Sequence, residues 1–130
     1  MTKMIKGVGV DIIAVRRVEK MIKAHGEVFC ARVFTRRETE YCQRFRRPEE
    51  RFAGRFAAKE AVLKALGTGW RGGISWQDVE ISQTRSGPPE VKLSGAAETE
   101  AKKLGVQKIY LSISHSRGYA LAFAIAEGGT

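Results

Sequence analysis

The segment KGVGVDIIAVRRVE, Lys6 to Glu19, constrains the chain most, because an aspartate interrupts a run of apolar residues and glycine. The run reads as a buried β-strand from about Ile5 to Ile13 that leads into a helix. An ionised carboxylate in low dielectric is costly unless a cation or hydrogen-bond donors meet it. Two arrangements satisfy Asp11: it ends the strand and caps the helix, or a cation belongs beside it. Strand alternation puts Val8, Val10 and Ile12 on one face and Gly7, Gly9 and Asp11 on the other. Two glycines beside the acid leave room for a ligand or for close backbone packing.

At 130 residues the chain has the length of one domain, residues 1–130, and its 43% hydrophobic content is enough for a core without disulfides or a structural metal. Cys30 and Cys42 match no CxxC ligand pattern, and a reduced, cytoplasmic chain is expected. Neither a membrane-spanning apolar run nor a signal-peptide segment is visible. The net charge of +9 calls for an anionic partner: nucleic acid, a phosphorylated metabolite, an acidic protein or a membrane surface.

Local signals then divide the chain. A helix is expected from about Val15 to Ala24, closing near Gly26, with Val15, Val18 and Ile22 on its apolar stripe. Arg16, Lys20 and Lys23 share another face, with Arg17 nearby. Thr35 and Glu38 form a capping box. Pro48 suits a first helical turn, and a long helix runs from about Glu49 to Leu66, where Gly67 stops it. WQDVEIS and EVKL read as strands around an SGPP turn, and Ser94 as the cap of a helix over Ala96–Leu104. QKIYLSISHS and YALAFAIAE read as a hairpin around Arg117-Gly118. The order β-α-α-α-β-β-α-β-β predicts an α+β fold, a mostly antiparallel sheet packed around the long central helix.

On that helix Phe52, Phe56 and Leu63 fall within roughly 40° of one another, Lys59 lies inside their arc and Glu60 borders it. Glu60 is either half of a solvated i, i+4 pair with Lys64 or an acid aimed at the sheet. Converging with Asp11, it would suit a hard cation with oxygen ligands, Mg²⁺ before Zn²⁺. The glycines of KALGTGWRGG allow close approach of a phosphate, although a helix C-terminus repels anions; the simpler reading is a C-cap and turn. Lys64 supplies positive charge there. His115 has no nucleophile elbow or acid partner for a hydrolase triad, and is either structural or a phosphate hydrogen-bonder.

GVGVDIIAVRRVE, FTRRETEY, RFAGRFAAKEAVLKALGTG and SISHSRGYALAFAIAE together resemble the holo-[acyl-carrier-protein] synthases, the short bacterial class of 4′-phosphopantetheinyl transferase, over almost the whole chain. The resemblance implies that fold, and Mg²⁺-dependent transfer of phosphopantetheine from coenzyme A to a serine of apo acyl carrier protein, releasing adenosine 3′,5′-bisphosphate. By motif position it implies Asp11 and Glu60 as metal ligands and Lys64, Gly67, Thr68 and Gly69 as the coenzyme A-binding region. Beside it, Glu60 and Lys64 are expected as the catalytic residues, Glu60 or a metal-bound water it orients as the base, and Arg55 and His115 as further coenzyme A contacts. A homotrimer with active sites between subunits is implied too. The acidic carrier would dock on Arg16, Arg17, Lys20 and Lys23. The chain departs from the family at Pro88, where a basic residue is common. A small basic nucleic-acid-binding domain is the rival reading; it explains the charge but not the two acids.

Overall fold

The computed structural model describes residues 2–129. Strand β1 (Lys3–Ala14) runs directly into helix α1 (Val15–Val33), followed by α2 (Arg36–Gln43) and α3 (Pro48–Leu66). A short 3₁₀ turn, Trp76–Asp78, precedes β2 (Val79–Ser82), and β3 (Glu90–Leu93), α4 (Gly95–Lys103), β4 (Val106–Ser116) and β5 (Tyr119–Gly129) complete the order. The predicted α+β class and element order hold, with two antiparallel sheets: a three-stranded sheet ordered β1-β5-β4 and a two-stranded β2-β3 sheet.

Helix α3 is the centre. Small residues let the chain close on it from several sides: Ala53, Ala57, Ala58 and Ala61 are fully buried, as are Ala120, Ala122, Ala124 and Ala126 along β5. Gly7 and Gly9 of β1 lie directly on α3, and a Cβ at either would collide with the carbonyl oxygen of Ala65 or Ala61. The glycines thus serve close packing of strand on helix, not an open ligand space.

That packing corrects the expectation of a buried strand, since only one of its faces is covered. Val8, Val10 and Ile12 are 52%, 52% and 61% exposed, and the glycine face is the one turned inward. Ile5, Leu121, Phe123 and Tyr119 extend the exposed apolar surface across the outer side of the sheet, with Val10 paired opposite Phe123. Alternation defines two faces of a strand without saying which one is covered.

The first helix also differs from the expectation. Gly26, at φ 50°, breaks it, but the chain re-enters helix and continues to Val33. At α4, Ser94 occupies the N-cap position without a side-chain bond. Asp78 instead accepts from the Ala97 amide at 3.4 Å, and its own residue belongs to the capping box that Ser75 forms. WQD is therefore a 3₁₀ turn, and the strand begins only at Val79. Thr35 and Glu38 form the predicted capping box, Pro48 opens α3, and Gly67 ends it with a left-handed φ of 73°. Arg117-Gly118 makes the tight turn between paired Ser116 and Tyr119.

Candidate active site

Two groups of chemically active side chains flank α3. The first lies toward β1. Asp11, on the inward face of that strand, receives the Lys64 ammonium at 3.1 Å, and the same Nζ donates to the Val10 carbonyl at 3.0 Å. Lys64 is thereby tied to the strand, not to Glu60, so the i, i+4 pair within α3 is replaced by a bond across elements. Partial burial pushes the Glu60 carboxyl above its ordinary value, and the negative charge of Asp11 pushes it further; the Trp70 side chain and Lys64 act the other way. The two carboxylates therefore sense one another. Asp11 caps no helix: Ala14 holds the N-cap position of α1 without a side-chain bond, and the Val15 amide donates to the Gly118 carbonyl.

The second group lies toward β4. Arg55 is 2% exposed, yet its Nε and Nη2 have no hydrogen-bond partner, alone among the buried side-chain nitrogens and oxygens of the described residues. Its guanidinium rests 4.2 Å above the Tyr41 ring. With Arg51, Gln83, Pro88, Ser112 and His115, Arg55 lines a cavity of about 330 Å³. His115 donates from Nε2 to the Glu50 carbonyl at 2.8 Å. A Cβ on Gly54 would stand 2.8 Å from that nitrogen, so the glycine makes room for the imidazole. A buried guanidinium with two idle donors is an anion-binding arrangement, because leaving them unpaired costs a large desolvation penalty. Pro88, the departure from the family pattern, sits on the wall of this cavity and adds no charge to it.

The glycine loop behaves first as a cap. The amides of Gly67 and Thr68 donate to the Lys64 and Leu63 carbonyls, and the Gly67 and Thr68 carbonyls hold Arg71 at 3.0 and 2.9 Å. Arg16, Arg17, Lys20 and Lys23 are all exposed on α1. A larger concavity of about 680 Å³, between β3, α4 and β4, contains none of the predicted site residues.

The sequence reading assigns Glu38 only its local cap. In the structure Glu38 also forms a fully buried ion pair with Lys59 at 2.8 Å. The sign available in the sequence is the position of Lys59 inside the apolar arc of α3. Among the described residues no group of three or more His, Cys, Asp and Glu side chains is placed to hold a metal. No helix among them is long and apolar enough to cross a membrane.

Comparison with known proteins gives the chain's relatives. A family profile for the 4′-phosphopantetheinyl transferase superfamily matches residues 7–124. The holo-[acyl-carrier-protein] synthase of Solibacter usitatus is 46% identical over 124 residues, covering 95% of this chain and 99% of that protein. The crystal structure of the Neisseria meningitidis synthase superposes with a TM-score of 0.86 at 35% identity, over 95% of this chain and 98% of the other. The Helicobacter pylori synthase, solved in complex with coenzyme A, gives a TM-score of 0.80 at 31% identity, over 92% and 98% of the two chains.

Proposed function

Because the chain belongs to the 4′-phosphopantetheinyl transferase superfamily, among its holo-[acyl-carrier-protein] synthases, we propose that it moves the phosphopantetheine arm of coenzyme A onto a serine of apo acyl carrier protein, with Mg²⁺ and with release of adenosine 3′,5′-bisphosphate. The observation that carries this reading is the pairing, on opposite sides of one helix, of a two-carboxylate group with an unpartnered buried guanidinium.

The donor set of the acidic group fits the metal. Asp11 and Glu60 offer hard oxygen ligands, and the Lys64 ammonium paired with Asp11 supports a place for positive charge there. Two protein carboxylates suffice for Mg²⁺, which takes its other ligands from water and substrate phosphates. Asp11 and Glu60 would hold the ion, which would supply polarisation of a diphosphate and neutralisation of charge on the leaving bisphosphate. Lys64 adds fixed positive charge in the last turn of α3, offsetting the negative end of the helix dipole. Glu60, whose carboxyl burial and Asp11 push upward, is suited to take the proton from the serine hydroxyl. Transfer of this kind needs positioning and charge neutralisation, not a covalent nucleophile.

Arg55 and His115 are assigned to a phosphate of coenzyme A, with Gly67, Thr68 and Gly69 along its path. Arg55 and Glu60 stand roughly 140° apart around α3. Asp11 and His115 occupy opposite edge strands of the three-stranded sheet. One subunit thus presents the two half-sites on opposite sides. A cyclic assembly in which one subunit's β1 edge meets its neighbour's β4 edge would unite them, because a head-to-tail contact joins unlike surfaces. The exposed face of Val8, Val10, Ile12, Leu121 and Phe123 supplies apolar area for that assembly, in keeping with a homotrimer. Arg16, Arg17, Lys20 and Lys23 form the dock for the acidic carrier.

The test is incubation with apo carrier protein, coenzyme A and Mg²⁺, followed by intact mass. Expected is a carrier heavier by the phosphopantetheine arm, and no gain when chelator replaces the metal. An unmodified carrier with metal present sinks the reading.

A further inference from the structure

Lys59 and Glu38 have no side-chain exposure at all. Lys59 Nζ donates to Glu38 Oε1 at 2.8 Å, to the Trp76 carbonyl at 3.0 Å and to the Val79 carbonyl, which uses all three of its protons. Glu38 Oε1 also accepts the Thr35 amide at 2.8 Å, and Oε2 the Ile81 amide at 2.7 Å. One closed network therefore ties α3, the start of α2, the 3₁₀ turn and β2. Burial pulls the ammonium below its ordinary value while Glu38 opposes that. Replacing such a pair by apolar residues of similar volume is often neutral or favourable, so stability alone is a weak reason to keep it.

The surroundings supply another reason. Lys59 adjoins Glu60 in the chain, and Lys64 lies one turn beyond Glu60 on the same side of α3. Arg55 lies one turn before Lys59, along the same stripe. Tyr41, three residues after Glu38 on α2, supports the Arg55 guanidinium. Turning α3 about its axis breaks the Lys59 bonds and swings Glu60 and Arg55 together. We infer that the buried Lys59–Glu38 pair is a positioning hub that sets the rotation of α3 and so holds the carboxylate half-site and the guanidinium half-site in register. The inference rests on the proposed transferase reading, and neither residue touches a reacting atom.

The test uses the double variant Glu38→Gln with Lys59→Met, which removes both charges at nearly constant volume. Mn²⁺ affinity is read by electron paramagnetic resonance and coenzyme A affinity by calorimetry, with far-ultraviolet circular dichroism and thermal unfolding as controls for folding. Expected is a cooperatively folded protein whose two affinities each fall about tenfold, with an unchanged KM for the carrier. A folded variant with both affinities intact overturns the inference, and so does loss at one half-site only. Should the double variant not fold, Glu38→Asp, which keeps the charge but retracts it by one methylene, takes its place; unchanged affinities then overturn the inference equally. Failure of the unaltered protein to bind either ligand would instead sink the transferase reading, and with it this one.

Discussion

The two half-sites handle charge in opposite ways. Toward β1, Asp11 has already found a cation in Lys64, and the tension left over is Glu60 held beside a like charge. Toward β4, Arg55 is sealed from water with two donors unsatisfied. The acidic side is charge-paired as it stands, and under the proposed function it would exchange one positive partner for another; the basic side keeps unsatisfied donors that an anion would fill. A molecule carrying phosphates, met by a divalent ion, answers both needs at once.

The largest effect that would break this comparison is loss of the acids. Asp11→Ala combined with Glu60→Ala is expected to reduce turnover by about 10³-fold, measured by carrier mass under saturating coenzyme A. Near-wild-type turnover would dismiss the acidic half-site. Next, Arg55→Met should weaken coenzyme A binding by about 10- to 100-fold, because hydrogen bonds to a charged group are lost. The same change should leave the empty protein as stable or more so, since it removes a buried unpaired charge. A drop in Tm with unchanged affinity would make Arg55 a structural residue.

Gly54→Ala crowds His115 and is expected to give a smaller loss of coenzyme A affinity, about threefold to tenfold, with Mn²⁺ affinity unaltered. Equal loss of both would show that the halves are not separable at this point. The smallest effect concerns Glu60→Gln without metal. A carboxyl held above its ordinary value favours its protonated form in the folded state. The associated stability is fully present below the unfolded value and lost as pH rises through the folded one. Glu60→Gln should therefore raise Tm modestly at neutral pH and lose that advantage near pH 4. A lower Tm at neutral pH would contradict the assignment.

The element order was legible because its signals are local: the Thr35–Glu38 box, Pro48, Gly67 and the Arg117-Gly118 turn each act within a few residues. That Asp11 and Glu60 lie close enough to sense one another was legible too, because both interrupt apolar patterns that would otherwise be regular. Arg55 and Lys59 were harder to place. Nearly every side of α3 is covered, so helical periodicity separates inner from outer faces only weakly: Lys59 is marked by its place inside the apolar arc, but Arg55 carries no such mark of its burial. Which face of β1 is covered was not legible for a related reason. Glycine contributes nothing to a hydrophobic face, but it is what allows α3 to come so near. Gly26 reads as a stop because a lone chain segment gives no sign that packing will start the helix again.

The uncovered side of the sheet has a consequence for how such a catalyst behaves in the cell. Under the proposed cyclic assembly a newly made subunit would be sticky before it is useful, since Val10, Ile12, Leu121 and Phe123 are exposed in the single chain and would stay wet until a companion arrived. Output would then scale more steeply than linearly with abundance, and dilution alone would silence it.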